Sequence, residues 1–185
     1  TGASELCIAN SLGVRAYNRS TSAHLRTVAM SDTGSGYADA LATDVREIDP
    51  ALVAQTAVMK CESAQNPEVV PPGEYEVILE PRAVADMLSY LVRGGFSASA
   101  VSEGRSFLAG KLGEKLFAEL FSLWDDGLDP RGFPMPFDLE GVPKQKVVMV
   151  EKGVVKDLLY DYKTAKKEGK KSTGHGGFGR WGAMA

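Results

Sequence analysis

The sequence predicts an α+β fold: an antiparallel sheet with a packed helix, followed by a second sheet-rich, β-barrel-like domain portion. Three observations carry this. Leu6 and Ile8, Val14 and Ala16, then Leu25, Thr27 and Ala29 alternate with polar residues at the period of two that marks half-buried strands. Asp49-Pro50 opens a segment in which Ala54, Ala57, Val58 and Cys61 recur at helical spacing. The proline-rich stretch 65–73 then breaks the pattern, because proline lacks an amide donor, and strand-like residues resume after it. The expected organisation is the end of an N-terminal α/β domain over 1–65, a linker at 66–72, and the first part of a C-terminal β-rich domain over 73–185.

Each element has a local reason. Asn10-Ser11-Leu12-Gly13 and residues 32–36 supply turns for an antiparallel meander over residues 4–32. Asp49 is a good N-cap, and Pro50 suits the first helical position of a helix over 49–64. That helix places Cys61 on its apolar stripe, and Cys7 lies in an alternating strand. Both thiols are expected to be unpaired and mostly buried.

Glu74–Leu79 reads as a short strand through Tyr75, Val77 and Leu79. Pro81 opens a second helix with Val84, Met87, Leu88 and Leu91 on its core face and Gly94-Gly95 as its stop. Residues 97–106 read as a mobile loop. The helical spacing over 108–121 is interrupted by two glycines. A strand is expected at Leu120–Trp124, and a hairpin of 146–150 and 154–159 around Glu151-Lys152-Gly153. A short helix is expected from Asp161 to Glu168, and a loop over the glycine-rich last 14 residues.

Composition narrows the function classes. A chain of 185 residues can bury a real core, and a net charge of −3 offers no electrostatic footprint for direct nucleic-acid contact. No apolar run is long enough to cross a membrane, and the start lacks a charged-then-apolar signal. Two cysteines without a CxxC spacing fit reduced thiols in a cytoplasmic protein. The chain begins on Thr1 and stops at Ala185 without a polar tail, which reads as an excised segment of something longer.

Chemistry-bearing residues are sparse. The chain has two histidines, His24 and His175, whereas a zinc site normally needs three or four closely placed N, S or O ligands. No phosphate loop, dinucleotide fingerprint or nucleophile elbow is present. Asp125-Asp126 and Asp138/Glu140 are the notable acidic pairs. On a strand, Asp138 and Glu140 would share a face and could do acid–base work. In a turn, Asp138 would instead bond nearby amides ahead of Gly141. Both readings stay open. Ser172-Thr173-Gly174-His175 is either a flexible loop or the lining of a groove.

Pro136 to Pro143 (Pro-Phe-Asp-Leu-Glu-Gly-Val-Pro), Lys152 to Lys156 and Ser172-Thr173-Gly174-His175 occur in an order that resembles the TldD/PmbA family, also called the "modulator of DNA gyrase" family. Asn10 to Gly13, Pro72 to Leu79 and Ser106 to Gly113 resemble further elements of it, so the resemblance runs along almost the whole chain. Active members are zinc metallopeptidases. In them a helix after the Val-Ile-Leu strand carries H-E-x-x-x-H, whose histidines bind zinc while the glutamate activates water. In ungapped register those positions fall here on Leu88, Ser89 and Arg93, none of which can serve.

The resemblance therefore implies the TldE/PmbA-like branch: a non-catalytic subunit with no cofactor of its own. It would pair with a zinc-bearing TldD-like subunit to degrade or mature peptides in the cytoplasm. The candidate peptide or partner surface is Asp138, Glu140, Gly141, Ser172, Thr173, Gly174 and His175. The alternatives are an independent peptidase or hydrolase using Asp138, Glu140 and His175, and a regulatory module acting on DNA gyrase indirectly. Substitution of Asp138 or His175 by alanine is expected to weaken binding and leave the fold intact.

Overall fold

The structure is a computed structural model that describes residues 1–177. The α+β class holds, with two small sheets and helices in two compact units: Thr1–Glu5 with Arg19–Ile78, and Leu6–Asn18 with the chain from Leu79 onward.

β1 (Gly2–Ala9), β2 (Arg15–Met30) and β3 (Ser35–Ala42) form one sheet in the order β1-β2-β3. β2 and β3 pair antiparallel from Ala23↔Ala42 to Met30↔Ser35. The helix α1 (Pro50–Ser63) is capped as expected, with Asp49 accepting the amides of Ala51 and Leu52. It packs on β3 through Val53, Ala57 and Cys61. Ala54 and Val58 face solvent instead, so the buried stripe is an i, i+4, i+8 row rather than the spacing expected. The approach is close: a Cβ on Gly36 would lie 2.0 Å from the Ala57 carbonyl oxygen, so glycine is required there.

Cys61 is buried and Cys7 is exposed, which corrects the expectation for Cys7. Leu6 and Ile8 take the inward parity of β1 and leave Cys7 on the other face.

The strand expected over 74–79 is absent. Residues 65–80 have no helix or strand, and Val77 and Ile78 are largely exposed, because alternation makes no strand without a partner to complete its ladder.

The second unit centres on Phe96, Leu108, Met149, Val150, Val155, Leu158 and Tyr160. α2 (Pro81–Gly95) starts and stops where expected. Its expected core face does not hold: Val84, Leu88 and Leu91 are only half-buried, and Met87 is 61% exposed. Of that face, Leu91 reaches the core cluster. The expected mobile loop is instead α3 (Ala98–Ser102) and a turn, where Ser106 donates to the Gly95 carbonyl at 2.6 Å and accepts the Leu108 amide. Residues 108–121 are turns rather than helix. The amides of Gly113, Leu116 and Phe117 donate to the carbonyls of Val155 and Gly153.

β4 (Leu123–Asp125), β5 (Val147–Glu151) and β6 (Val154–Val155) make an antiparallel sheet. The hairpin turn falls on Lys152-Gly153, both with positive φ, as a two-residue connection requires. β6 is shorter than the 154–159 expected, and β4 starts three residues later than the 120 expected. α4 (Tyr162–Lys167) is capped by Asp161. Among the described residues the second sheet has three strands and no barrel closes. The expected glycine-rich C-terminal loop lies beyond residue 177 for most of its length, outside the described residues.

Candidate functional site

The 136–143 and 172–177 segments meet in the second unit, and a buried carboxylate joins them. Asp138 is fully buried. Its Oδ1 accepts the amides of Glu140 and Val142, both at 2.9 Å, and its Oδ2 accepts the Gly176 amide at 2.6 Å. The Leu139 amide donates in turn to the Gly176 carbonyl. The 138–142 segment is a turn, closed by Asp138 N–H to the Val142 carbonyl and Gly141 N–H to the Asp138 carbonyl.

Asp138 and Glu140 therefore do not share a strand face. Glu140 accepts the Tyr162 amide at 2.9 Å, at the start of α4. Of the two readings open in the sequence, turn chemistry describes both carboxylates, and neither is placed as a free acid–base pair.

Gly141 sits at φ +76, and the tip of the β1–β2 hairpin rests against it. A Cβ there would lie 2.4 Å from Val14 Cγ1 and 3.4 Å from Ile8 Cγ2. The tip is itself braced, because Asn10 Oδ1 accepts the amides of Leu12 and Val14.

The Ser172–His175 segment is held from both sides. The Thr173 amide donates to the Tyr160 carbonyl, and the Gln145 amide donates to the Thr173 carbonyl. Ser172 Oγ donates to the Tyr160 carbonyl and accepts the Gly174 amide. His175 is wedged between two partners: Nδ1 is 2.9 Å from Thr173 Oγ1, and Nε2 is 2.7 Å from Asp125 Oδ1. With Nε2 donating to the carboxylate, Nδ1 accepts from the hydroxyl. Lys144 Nζ donates to the same Asp125 oxygen at 3.3 Å. Burial pushes the Asp125 carboxyl up, but the His175 hydrogen bond and the Lys144 charge outweigh it, so its pKa lies below the ordinary carboxylate value.

Hydroxyl, imidazole and carboxylate in a row resemble a nucleophilic triad, but the local bonding is that of a clamp. Thr173 Oγ1 already accepts the Tyr160 amide at 2.8 Å, and the His175 side chain is 7% exposed. The hydroxyl oxygen is held by the Tyr160 backbone, 13 positions away in the chain.

The α2 positions do not make a metal site. Leu88 is half-buried with no ligand atom, Ser89 Oγ donates to the Asp86 carbonyl, and Arg93 is exposed with a fixed positive charge. His24 in the first unit bonds Asp39, and both His175 ring nitrogens are engaged. Among the described residues, no group of three or more His, Cys, Asp or Glu is placed to hold a metal, and no helix is long and apolar enough to cross a membrane. Leu88, Ser89 and Arg93 do not fit a zinc ion.

Asp125, Lys144 and Tyr160 were not legible as site residues. Asp125 stood out only as half of an acidic pair, and its contact with His175 spans 50 positions.

Residues 72–184 match the family described as PmbA/TldA metallopeptidase C-terminal domain. An uncharacterised protein of Methanocaldococcus jannaschii is 48% identical over 100 residues, covering 54% of this chain and 24% of its own. Two solved structures superpose well. TldE from Thermococcus kodakarensis has TM-score 0.82 and 32% identity over 93% of this chain and 40% of its own. A Thermotoga maritima protein described as a candidate modulator of DNA gyrase has TM-score 0.83 and 30% identity over 92% of this chain and 41% of its own. The chain thus spans well under half the length of these relatives.

Proposed function

The chain belongs to the PmbA/TldD metallopeptidase family, and from that premise we propose that it acts as a TldE/PmbA-like, non-catalytic subunit of a zinc peptidase that degrades or matures peptides. The observation that carries this reading is α2. Where active members would hold two metal ligands and a base, it presents Leu88, Ser89 and Arg93. On this reading zinc resides in a TldD-like partner in the cytoplasm. Residues 1–65 end an N-terminal α/β domain, 66–72 link, and 73–185 open a larger β-rich, barrel-like domain; the family match beginning at residue 72 supports that boundary. The loop pair 138–142 and 172–177 forms part of the surface that receives peptide or partner. Its polar atoms brace the two segments, so contact would be made by the exposed Leu139 side chain and the outer edge of the turn.

The test is to combine the purified chain with a TldD-type subunit carrying H-E-x-x-x-H, and to follow complex formation by sedimentation, zinc content and peptide cleavage. The reading expects cleavage in the mixture, with zinc accounted for by the partner. Stoichiometric zinc and peptide hydrolysis by this chain alone would overturn it and favour an independent peptidase. A role touching DNA gyrase would have to run through other proteins, since a net charge of −3 gives no footprint for DNA.

A further inference from the structure

Trp124 alternates with Asp125 along β4, so it faces away from the His175 clamp. On that other side is a cleft of about 390 Å³ lined by Trp124, Asp126, Asp129, Arg131, Gly132 and Phe133. The indole is 46% exposed within it. Lys146 reaches over this wall from just before β5. Its Nζ lies 5.6 Å from the Trp124 ring centroid and 3.6 Å from Asp126 Oδ2.

These contacts define a place for a cation. The face of an indole attracts positive charge, and a carboxylate beside it adds a second attraction. The other charges are already matched. Asp129 is bound by the Arg131 guanidinium through three hydrogen bonds, and Asp126 Oδ1 accepts the Leu128 amide. Asp126 Oδ2 is left facing Lys146. Lys146 itself is 57% exposed on a flexible stem, and an open ion pair of this kind is weakly held.

We propose that this cleft receives a cationic side chain, lysine or arginine, of a bound peptide. Its head takes the position that Lys146 fills against Trp124 and Asp126 in the free chain. Lys146 is then an internal stand-in that swings out when the seat is occupied. That the cation comes from a peptide rests on the proposed function; the seat itself does not. An anion is disfavoured, because the face of the indole repels negative charge.

The test titrates the ¹⁵N-labelled full chain carrying Trp181→Phe, which leaves Trp124 as its one indole. The probes are the Nα-acetyl methylamides of lysine, arginine, glutamine and glutamate, and the readout is the Trp124 indole N–H resonance. The two cationic probes should give a saturable shift, and the neutral and anionic ones should not. Asp126→Asn should weaken the cationic probes. Lys146→Ala should tighten them roughly two- to fivefold, because the internal competitor is gone. A purely structural Trp124–Lys146 contact makes no such prediction. An equal shift with glutamine or glutamate, or a Lys146→Ala affinity that is unchanged or weaker, overturns the proposal. Failure here leaves complex formation with a TldD-type subunit untouched, and failure of that complex leaves the indole shift in place, so the two readings fall separately.

Discussion

Asp138 Oδ2 accepts the Gly176 amide at 2.6 Å, a charge-assisted bond that ties two loops 38 residues apart through a fully buried side chain. Such bonds are stronger than neutral ones, and a buried carboxylate with three amide donors leaves all three orphaned when it is removed. The residue is better placed to hold the surface in shape than to touch what binds there.

Asp138→Ala should therefore destabilise the second unit by about 3 kcal/mol or more, rather than leave the fold intact as the sequence suggested. Urea unfolding measures the loss. Amide exchange at Gly176 should accelerate more than exchange at Val150 in the core. Equal protection in the variant would mean that the bond to Gly176 holds little.

Asp125 gives a pH signature. Burial alone would raise its pKa, but His175 and Lys144 hold it below the ordinary value. A depressed folded value stabilises the fold above the unfolded pKa of about 3.9, and that stability is lost as the pH falls through the folded value. Asp125→Asn should be less stable than the parent at pH 6, and the gap should narrow below about pH 4. A gap that stays constant down to pH 3 would show that charge at Asp125 contributes nothing.

The legible parts of the fold were those with strong local chemistry. Asp49-Pro50 marked the start of α1, Gly94-Gly95 the stop of α2, and Lys152-Gly153 the hairpin. β3 escaped because its inward residues Gly36, Ala38, Ala40 and Ala42 are small, which suits the close approach of α1 but leaves hardly any hydrophobic alternation to read. The Tyr75–Leu79 alternation misled in the opposite way, since period two describes a side-chain pattern and says nothing about a pairing partner. At the site, both loop motifs could be read, but the clamp could not. His175 and Asp125 are joined only by the tertiary fold, and no local pattern connects β4 to residue 175.

Leu88 separates a half-buried face from a core one. Leu88→Ala should cost less than about 2 kcal/mol, whereas Leu108→Ala, at a residue 1% exposed, should cost about 2–5 kcal/mol. Denaturant midpoints of the two variants in parallel check this. Similar large losses would mean that α2 packs far more tightly than its half-exposed stripe indicates.

Gly141 reports whether the hairpin tip is seated on the Asp138 turn. An alanine there meets two obstacles. The first is the backbone: φ +76 is unfavourable for an L-residue by about 1–2 kcal/mol. The second is Val14, whose Cγ1 would lie 2.4 Å from the new methyl group, an overpacking that typically costs 1–3 kcal/mol. Val14→Ala removes that methyl and cannot relieve the backbone. The double variant should therefore recover roughly 1 kcal/mol or more relative to the sum of the singles, while remaining less stable than the parent. A double-mutant cycle from urea unfolding measures the coupling directly. Strict additivity would show that Val14 does not sit against Gly141 in solution, and that the tip of the β1–β2 hairpin is free of the turn.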